Sequence, residues 1–308
     1  MSVVEQALQV ARAHPGALLT VVGPTGSGKT GLAVALAERL GGEIISADSV
    51  QVYREFDLGS GKPSAEELSR APHHLVGVVG PLDPIDAAAW AEQASRAIED
   101  VRARGRVPIV CGGTFLWVKA LLFGLAAAPS ASAEVRARLR GVAKAEGRAA
   151  LHARLRAVDA VIAERLHPND LVRVSRALEV WEVTGKPLSV WQSEHAFTPI
   201  RYPARFLGLA CDAVTLTERI LARARGWLGG GWIEEVAGLL DRGYGEARAM
   251  GSVGYAQVRA MLAGELPRAE LEASVVRATR VFARRQRTWL NRAEVDWLDG
   301  VAAPAADP

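Results

Sequence analysis

Cysteine is scarce: the 308-residue chain has two, Cys111 and Cys211, each inside an apolar run. Two such residues build neither a disulfide framework nor a metal cluster, and a reducing compartment suits them. Histidine offers no metal site either, because His73, His74 and His167 lack the partners zinc requires and read as structural. No secretory leader is visible. "MSVVEQALQVARAHPG" carries Glu5 early and has no basic stretch ahead of an apolar one. Long hydrophobic runs are missing too. The most apolar segment, "IVCGGTFLWVKALLFGLAAAP", is broken by a glycine pair and Lys119, as expected of a buried strand and helix rather than a membrane span. No repeat or low-complexity tract appears outside the terminal "AAPAADP", which is expected to fray. These absences leave a soluble, cytoplasmic, folded protein as the expectation.

Apolar residues make up 49% of the chain and charged residues 23%, enough for a sizeable core and unlike a disordered or collagen-like chain. The length suggests two domains, or one large domain carrying an insertion. Net charge is only +3, so where the basic residues lie matters more than their sum.

"ALLTVVG" is a short β-branched run of the kind buried on both faces of a sheet. A glycine-rich loop follows, then "KTGLAVALAERL" with helical spacing up to Gly41-Gly42. "EIISA" is a second strand, "HHLVGVV" a weaker third, "DAAAWAEQASRAIEDVRARG" a long helix, and "VPIVCGG" another buried strand. Alternating strands and helices predict a parallel sheet covered on both faces. From about Ser130 to Thr184 strand signals stop, and arginines from Arg136 to Arg176 spread along helical segments. "RFLGLACD" restores a strand, and the rest reads as helix to about Trp289. The fold class predicted is α/β, a P-loop NTPase-like parallel sheet flanked by helices, with an all-helical insertion domain. The expected boundaries are 1–128 for the first part of the core, 129–204 for the insertion and 205–308 for the rest.

Gly23-Pro24-Thr25-Gly26-Ser27-Gly28-Lys29-Thr30 matches the full phosphate-loop pattern, after a strand and before a helix. Glycines let backbone N–H groups turn toward phosphate oxygens, and the helix N-terminus adds its positive end. Lys29 supplies a point charge and the Thr30 hydroxyl suits Mg²⁺. By motif this is an ATP-binding loop. ATPases and kinases of the class usually add an acid at the end of another strand, yet "VPIVC" ends in Gly112-Gly113-Thr114. Asp212 ends a later strand, but a helix starts next to it and an N-cap is its expected role. Asp48 follows "EIISA" and should project at the same sheet edge as the loop, as a metal ligand, a proton acceptor or a cap. Thr114 shares that edge, as a ligand contact or a cap of the following helix. "VVRATRVFARRQRTWLNR" has no acid until Glu294, and Arg277, Arg280, Arg284 and Arg287 share helical faces with Gln286, Phe282 and Trp289. An uncompensated basic helix points to nucleic-acid backbone contact.

Taken in order, "GPTGSGKT", "SADSVQVYREFDLGSGKP", "APHHL", "PIVCGGTFLWVKALLFGL", "LHPNDLVRVSRALEVWEVTGKPLS" and "TRVFARRQRTW" resemble the tRNA dimethylallyltransferases, from Leu18 to about Trp297. The resemblance implies transfer of a dimethylallyl group from dimethylallyl diphosphate to N6 of adenosine 37, just 3′ of the anticodon, with release of pyrophosphate. It implies Asp48 as general base, diphosphate contacts from the loop, Thr114 and Arg223, and Mg²⁺ on Thr30. It implies tRNA contacts at Asp48, Ser49, Val50, Gln51, Thr114, Arg136, Val172, Arg173, Val174, Ser175, Arg176, Gly251, Ser252, Val253, Gly254, Tyr255 and Ala256. The basic helix adds Arg280, Arg284 and Arg287. The anticodon stem-loop and dimethylallyl diphosphate are the expected partners, with no membrane and no obligate protein partner, for a monomer. Departures from the family pattern include Phe115 and Trp117 for Gly and Tyr, Ser60-Gly61 for Thr-Ala, and a Gly- and Trp-rich "RGWLGGGWIEEV"; all are expected beside the reaction channel. Two other classes stay open. One is an enzyme of free nucleotides, either a prenyltransferase or an ATP-using kinase, and the other is a nucleotide-gated RNA binder without chemistry.

Overall fold

The computed structural model describes residues 1–128, 132–196, 200–291 and 293–298. Helix α1 (Val3–Ala13) begins with a capping box in which the Ser2 and Glu5 side chains each satisfy the other's backbone N–H. Strand β1 (Leu18–Val22) is buried throughout and leads through the glycine-rich loop into α2 (Lys29–Leu40). β2 (Gly42–Ser46), α3 (Ala65–Arg70), β3 (His73–His74), α4 (Ala87–Ala103), β4 (Val107–Cys111) and α5 (Phe115–Phe123) follow. The helical segment contains α6 (Ala133–Ala145), α7 (Arg148–Val158), α8 (Ala160–Arg165), α9 (Leu171–Thr184) and α10 (Leu188–His195). The chain then returns through β5 (Ala204–Leu209), α11 (Ala213–Gly229), α12 (Trp232–Asp241), α13 (Tyr255–Leu262), α14 (Leu271–Leu290) and β6 (Val295–Leu298).

Two compact units result: Met1–Leu122 with the chain from Arg201 on, and Phe123–Ile200. In the first unit, the strands form one parallel sheet in the order β3-β2-β4-β1-β5-β6. Leu19, Val21, Ile44, Ile109 and Leu207 of the sheet pack with Leu32, Leu36 and Leu8 of α2 and α1 in one hydrophobic core. The second unit has a core of its own, in which Leu139, Leu151, Leu155, Ile162, Val174 and Leu178 interlock. Its helices are tied by Asp159, whose two carboxylate oxygens accept the N–H groups of Ile162 and Ser189.

The register places three strand ends side by side, since Cys111 of β4 aligns with both Val21 of β1 and Ser46 of β2. The Ala47 N–H donates to Cys111 O and the Thr114 N–H donates to Ala47 O. The segments after β1, β2 and β4 are thereby laced into one edge, where open parallel sheets bind ligands.

Three expectations change here. "HHLVGVV" contributes only the two-residue β3, after which Leu75 and Gly77 take positive φ and the backbone turns away. β6 carried no strand signal at four residues, yet it pairs in parallel with β5, and Asp296 accepts from Arg205 through both oxygens. Phe115 and Trp117 are core residues rather than channel walls. Phe115 stacks on Trp289 at 4.2 Å, Trp117 stacks on Trp90 at 5.1 Å, and both are buried. Asp212 does what its sequence context suggested, its Oδ1 accepting the N–H groups of Val214 and Thr215 as the N-cap of α11. Among the described residues no helix is long and apolar enough to cross a membrane.

Candidate active site

The phosphate loop is built by local geometry. Gly28 sits at φ +96, where a Cβ would be strained, and from there α2 starts with its free N–H groups. The Ser27 N–H folds back on Pro24 O, and Lys29 Nζ donates to the same carbonyl at 2.9 Å. Thr25, Lys29 and Thr30 reach a cavity of about 310 Å³ at the sheet edge. Gly23, Pro24, Gly26, Ser27 and Gly28 shape the loop behind it.

Asp48, Ser49, Val50, Gln51 and Thr114 border the same cavity, as do Gly59, Ser60, Gly61, Arg223, Trp227, Gly251, Ser252, Val253 and Phe282. Asp48 Oδ1 accepts the N–H groups of Val50 and Gln51, so the carboxylate caps its own turn. Its Oδ2 has no hydrogen bond among the described residues, so one oxygen fixes the side chain and the other faces chemistry. Thr114 Oγ1 accepts the Ser49 N–H at 3.1 Å and donates to Ser49 Oγ, so it joins two strand ends instead of capping α5. Gln51 Nε2 donates to Ser60 O and Gly61 O, holding the "GSG" turn against the cavity.

The cations here are enclosed. Burial lowers the Lys29 pKa to about 8, with Arg223 adding to the fall and Cys111 and Asp48 opposing it. Burial also pulls Arg223 down from its usual value against the pull of Asp48. Neither cation forms an ion pair among the described residues. Cys111, enclosed beside Lys29, is pushed up to about 11 by burial and stays a thiol. The Arg223 guanidinium lies 4.7 Å above the Trp227 ring, which gives it a cation–π partner in place of a carboxylate. Trp227 in turn meets Trp232 edge-on. Gly61, at φ +63, makes room for it, since a Cβ there would lie 3.1 Å from Trp227 Cζ2.

Thr30 borders the cavity beside Lys29, and among the described residues no cluster of three His, Cys, Asp or Glu could cage a metal. That donor set fits Mg²⁺ held by one hydroxyl and by substrate phosphates, the usual arrangement for a cation that keeps much of its water.

The other predicted RNA residues divide. Val172 is exposed, but Val174 is buried in the helical core and Ser175 is nearly so; their side chains face inward. Tyr255 is fully buried and donates to Glu235, and Gly254 is buried with it, while Ala256 is partly covered. Arg136 and Arg176 both reach the buried Glu179, and Arg173 pairs with Asp170. Arg280, Arg284 and Arg287 line, with Arg277, a separate concavity of about 260 Å³ against α11. Sequence reasoning missed two side chains. Glu179 is a fully buried carboxylate, and Gln286 is a buried amide in the arginine run that reaches both Thr25 and Gly113. Neither carried a local signal, because partners of each lie far away in sequence.

A parallel sheet with a Gly-x4-Gly-Lys-Thr loop at its edge, beside part-buried cations that have no ion pair among the described residues, defines a P-loop NTPase-like fold with an enzyme's cavity. The IPP transferase family matches residues 51–293, and a second family, isopentenyl transferase, matches residues 16–75. The chain belongs to the IPP transferase family, which is a family of prenyltransferases. The tRNA dimethylallyltransferase of Sorangium cellulosum is 62% identical over 289 residues, 94% of this chain and 92% of that protein. That of Geobacter sulfurreducens is 46% identical over 92% of this chain and 91% of its own. The full-length tRNA isopentenylpyrophosphate transferase of Bacillus halodurans superposes with a TM-score of 0.68 at 34% identity, covering 92% and 90% of the two chains. A eukaryotic dimethylallyltransferase acting on tRNA gives 0.73 at 26% identity, over 92% of this chain and 73% of that one.

Proposed function

We propose that the chain transfers a dimethylallyl group from dimethylallyl diphosphate to N6 of adenosine 37 in tRNA. The observation that carries this reading is the pairing of two enclosed cations, Lys29 and Arg223, with Asp48 across one cavity. Phosphoryl-transfer sites can also place a carboxylate base at the nucleophile, so membership of a prenyltransferase family is what tips the balance. A prenyl transfer to an aromatic amine needs both groups.

Lys29, Arg223, Thr114 and the N–H groups opening α2 would hold the diphosphate. Mg²⁺ on Thr30, when bound, would neutralise part of its charge. The allylic C1–O bond breaks with its electron pair passing to the pyrophosphate oxygen, and the enclosed cations stabilise that growing charge. The N6 lone pair forms the new C1–N bond. That amine is weakly nucleophilic because its lone pair is delocalised into the ring, and the proton it sheds passes to Asp48 Oδ2. The Val50 and Gln51 N–H groups hold Asp48 in place for this step. The target base must leave its stack to enter the cavity, at small cost in a single-stranded anticodon loop. Ser49 to Gln51 and Gly251 to Val253 would meet the extruded nucleotide at the cavity. Arg136, Val172, Arg173 and Arg176 in the helical unit, and Arg280, Arg284 and Arg287 on α14, would meet backbone phosphates, with salt-dependent affinity. The protein acts as a cytoplasmic monomer in this reading.

The test is incubation with dimethylallyl diphosphate, Mg²⁺ and unmodified tRNA carrying adenosine beside the anticodon, followed by mass analysis of nucleosides. Prenylated adenosine forms without ATP. A requirement for ATP, or faster modification of free AMP than of tRNA, overturns the reading.

A further inference from the structure

Helix α14 carries its arginines toward solvent and the second concavity, but Gln286 points the other way and is only 5% exposed. Its Oε1 accepts the Thr25 N–H at 2.8 Å, and its Nε2 donates to Gly113 O at 3.1 Å. The two partners belong to different strand ends, the phosphate loop after β1 and the turn after β4. Both ends of the amide are used, each in the only sense its chemistry allows. The space around it is as specific as the bonding. A Cβ on Gly113 would lie 2.2 Å from Gln286 Nε2, so glycine at 113 is what lets the amide in.

The position of Thr25 gives the contact its meaning. Its N–H is committed to Gln286 just where the loop begins to turn. One residue earlier, Pro24 O takes both the Ser27 N–H and Lys29 Nζ. The first turn of the loop is therefore braced from outside by α14, and that turn positions the carbonyl on which Lys29 rests. The Gly113 end fixes the same amide beside Thr114, which is bonded to Ser49 in the Asp48 turn.

We infer that Gln286 is a positioning residue for the diphosphate site. Through Thr25 it sets the loop conformation that presents Lys29 and the opening of α2, and through Gly113 it keeps that loop in register with Thr114. The inference rests on the proposed function only for the identity of the ligand as a diphosphate.

The probe is inorganic pyrophosphate with Mg²⁺, titrated calorimetrically into the full-length protein and into Gln286→Met and Gln286→Glu. Methionine keeps the volume and loses both hydrogen bonds. Glutamate keeps the acceptor for Thr25, loses the donor to Gly113 and adds a negative charge. The pyrophosphate dissociation constant rises about tenfold in Gln286→Met and further in Gln286→Glu, and the KM for the prenyl donor rises in parallel. The KM for tRNA moves by less than about threefold. A purely structural role lowers the melting temperature and the binding stoichiometry while the folded fraction keeps its dissociation constant, and that result overturns the proposal. Should Gln286→Met fail to fold, an unchanged dissociation constant in Gln286→Glu overturns it equally. Wild-type protein that ignores pyrophosphate sinks the diphosphate reading and this inference together. Wild-type binding matched by the variants sinks this inference alone.

Discussion

Positive charge is handled in opposite ways on the helical unit and in the sheet-edge cavity, although arginines elsewhere in the sheet unit, such as Arg205 with Asp296, are paired as well. In the helical unit, five arginines come with carboxylates attached: Arg136 and Arg176 with Glu179, Arg138 with Glu182, Arg154 with Glu146, and Arg173 with Asp170. In the sheet unit, Lys29 and Arg223 are enclosed with no ion pair among the described residues, one resting on a carbonyl and the other on an indole face. An exposed pair such as Arg154–Glu146 costs little to make and contributes about 0–1 kcal/mol, whereas the buried Glu179 depends on its two arginines. An enclosed cation without a carboxylate is a standing cost that a bound anion relieves. The first arrangement suits shape and orientation on a polyanion that stays hydrated. The second suits one small, highly charged group taken out of water.

This contrast can be broken most sharply at Asp48, the carboxylate facing the enclosed cations. Asp48→Asn keeps an oxygen for the Val50 and Gln51 N–H groups but takes no proton. Single-turnover prenylation should fall by about 10²–10⁴-fold with tRNA and pyrophosphate affinities little changed. Wild-type turnover removes Asp48 as the base.

The next effect concerns pH. The folded-state pKa of Lys29, about 8, lies below its ordinary 10.5. Between those values the unfolded chain binds more protons, so the Lys29 contribution makes stability rise with pH across that window. Below it, the protonated lysine is a full burden on the fold. Pyrophosphate needs the ammonium, so its binding should draw a proton onto the protein once pH passes about 8 and weaken as pH rises further. Calorimetry in buffers of differing ionisation heat measures that uptake. Uptake that survives in Lys29→Met assigns the proton to another group.

The smallest effect belongs to the helical unit. Glu179 accepts the Ser132 N–H as well as both arginines. Glu179→Gln should cost about 1–3 kcal/mol of stability in urea titration and weaken tRNA binding several-fold, through arginines left unsteered. Pyrophosphate affinity should not move. A change there would show that the two ways of holding charge are not independent.

The phosphate loop was legible in the sequence because backbone geometry dictates the glycines and the charge of a phosphate calls for the lysine that follows. Asp48 and Thr114 were legible because each ends a strand whose apolar run is unmistakable. The helical insertion was legible as a stretch where period-2 signals stop. Gln286 and Glu179 were not, because their roles depend on partners far away in sequence, and nothing local distinguishes a buried amide on a basic helix from a solvated one. Phe115 and Trp117 were misplaced for a related reason. Their proximity in sequence to Thr114 suggested the cavity, but a helix starting at Phe115 turns both rings toward Trp289 and Trp90. The strand β6 was missed because it is short and is recruited by its pairing with β5.

The Gly61–Trp227 contact has a consequence for how such a site changes over time. A ring at 227 and a side chain at 61 compete for one volume, and the backbone at 61 already adopts a conformation that disfavours a Cβ. Position 61 is not free to gain a side chain alone. The bulk at 227 can be reduced alone, but alanine at 61 beside the indole strains the backbone and requires the ring to give by a few tenths of an ångström. A redesign that puts a side chain at 61 has to trim the ring at 227 with it.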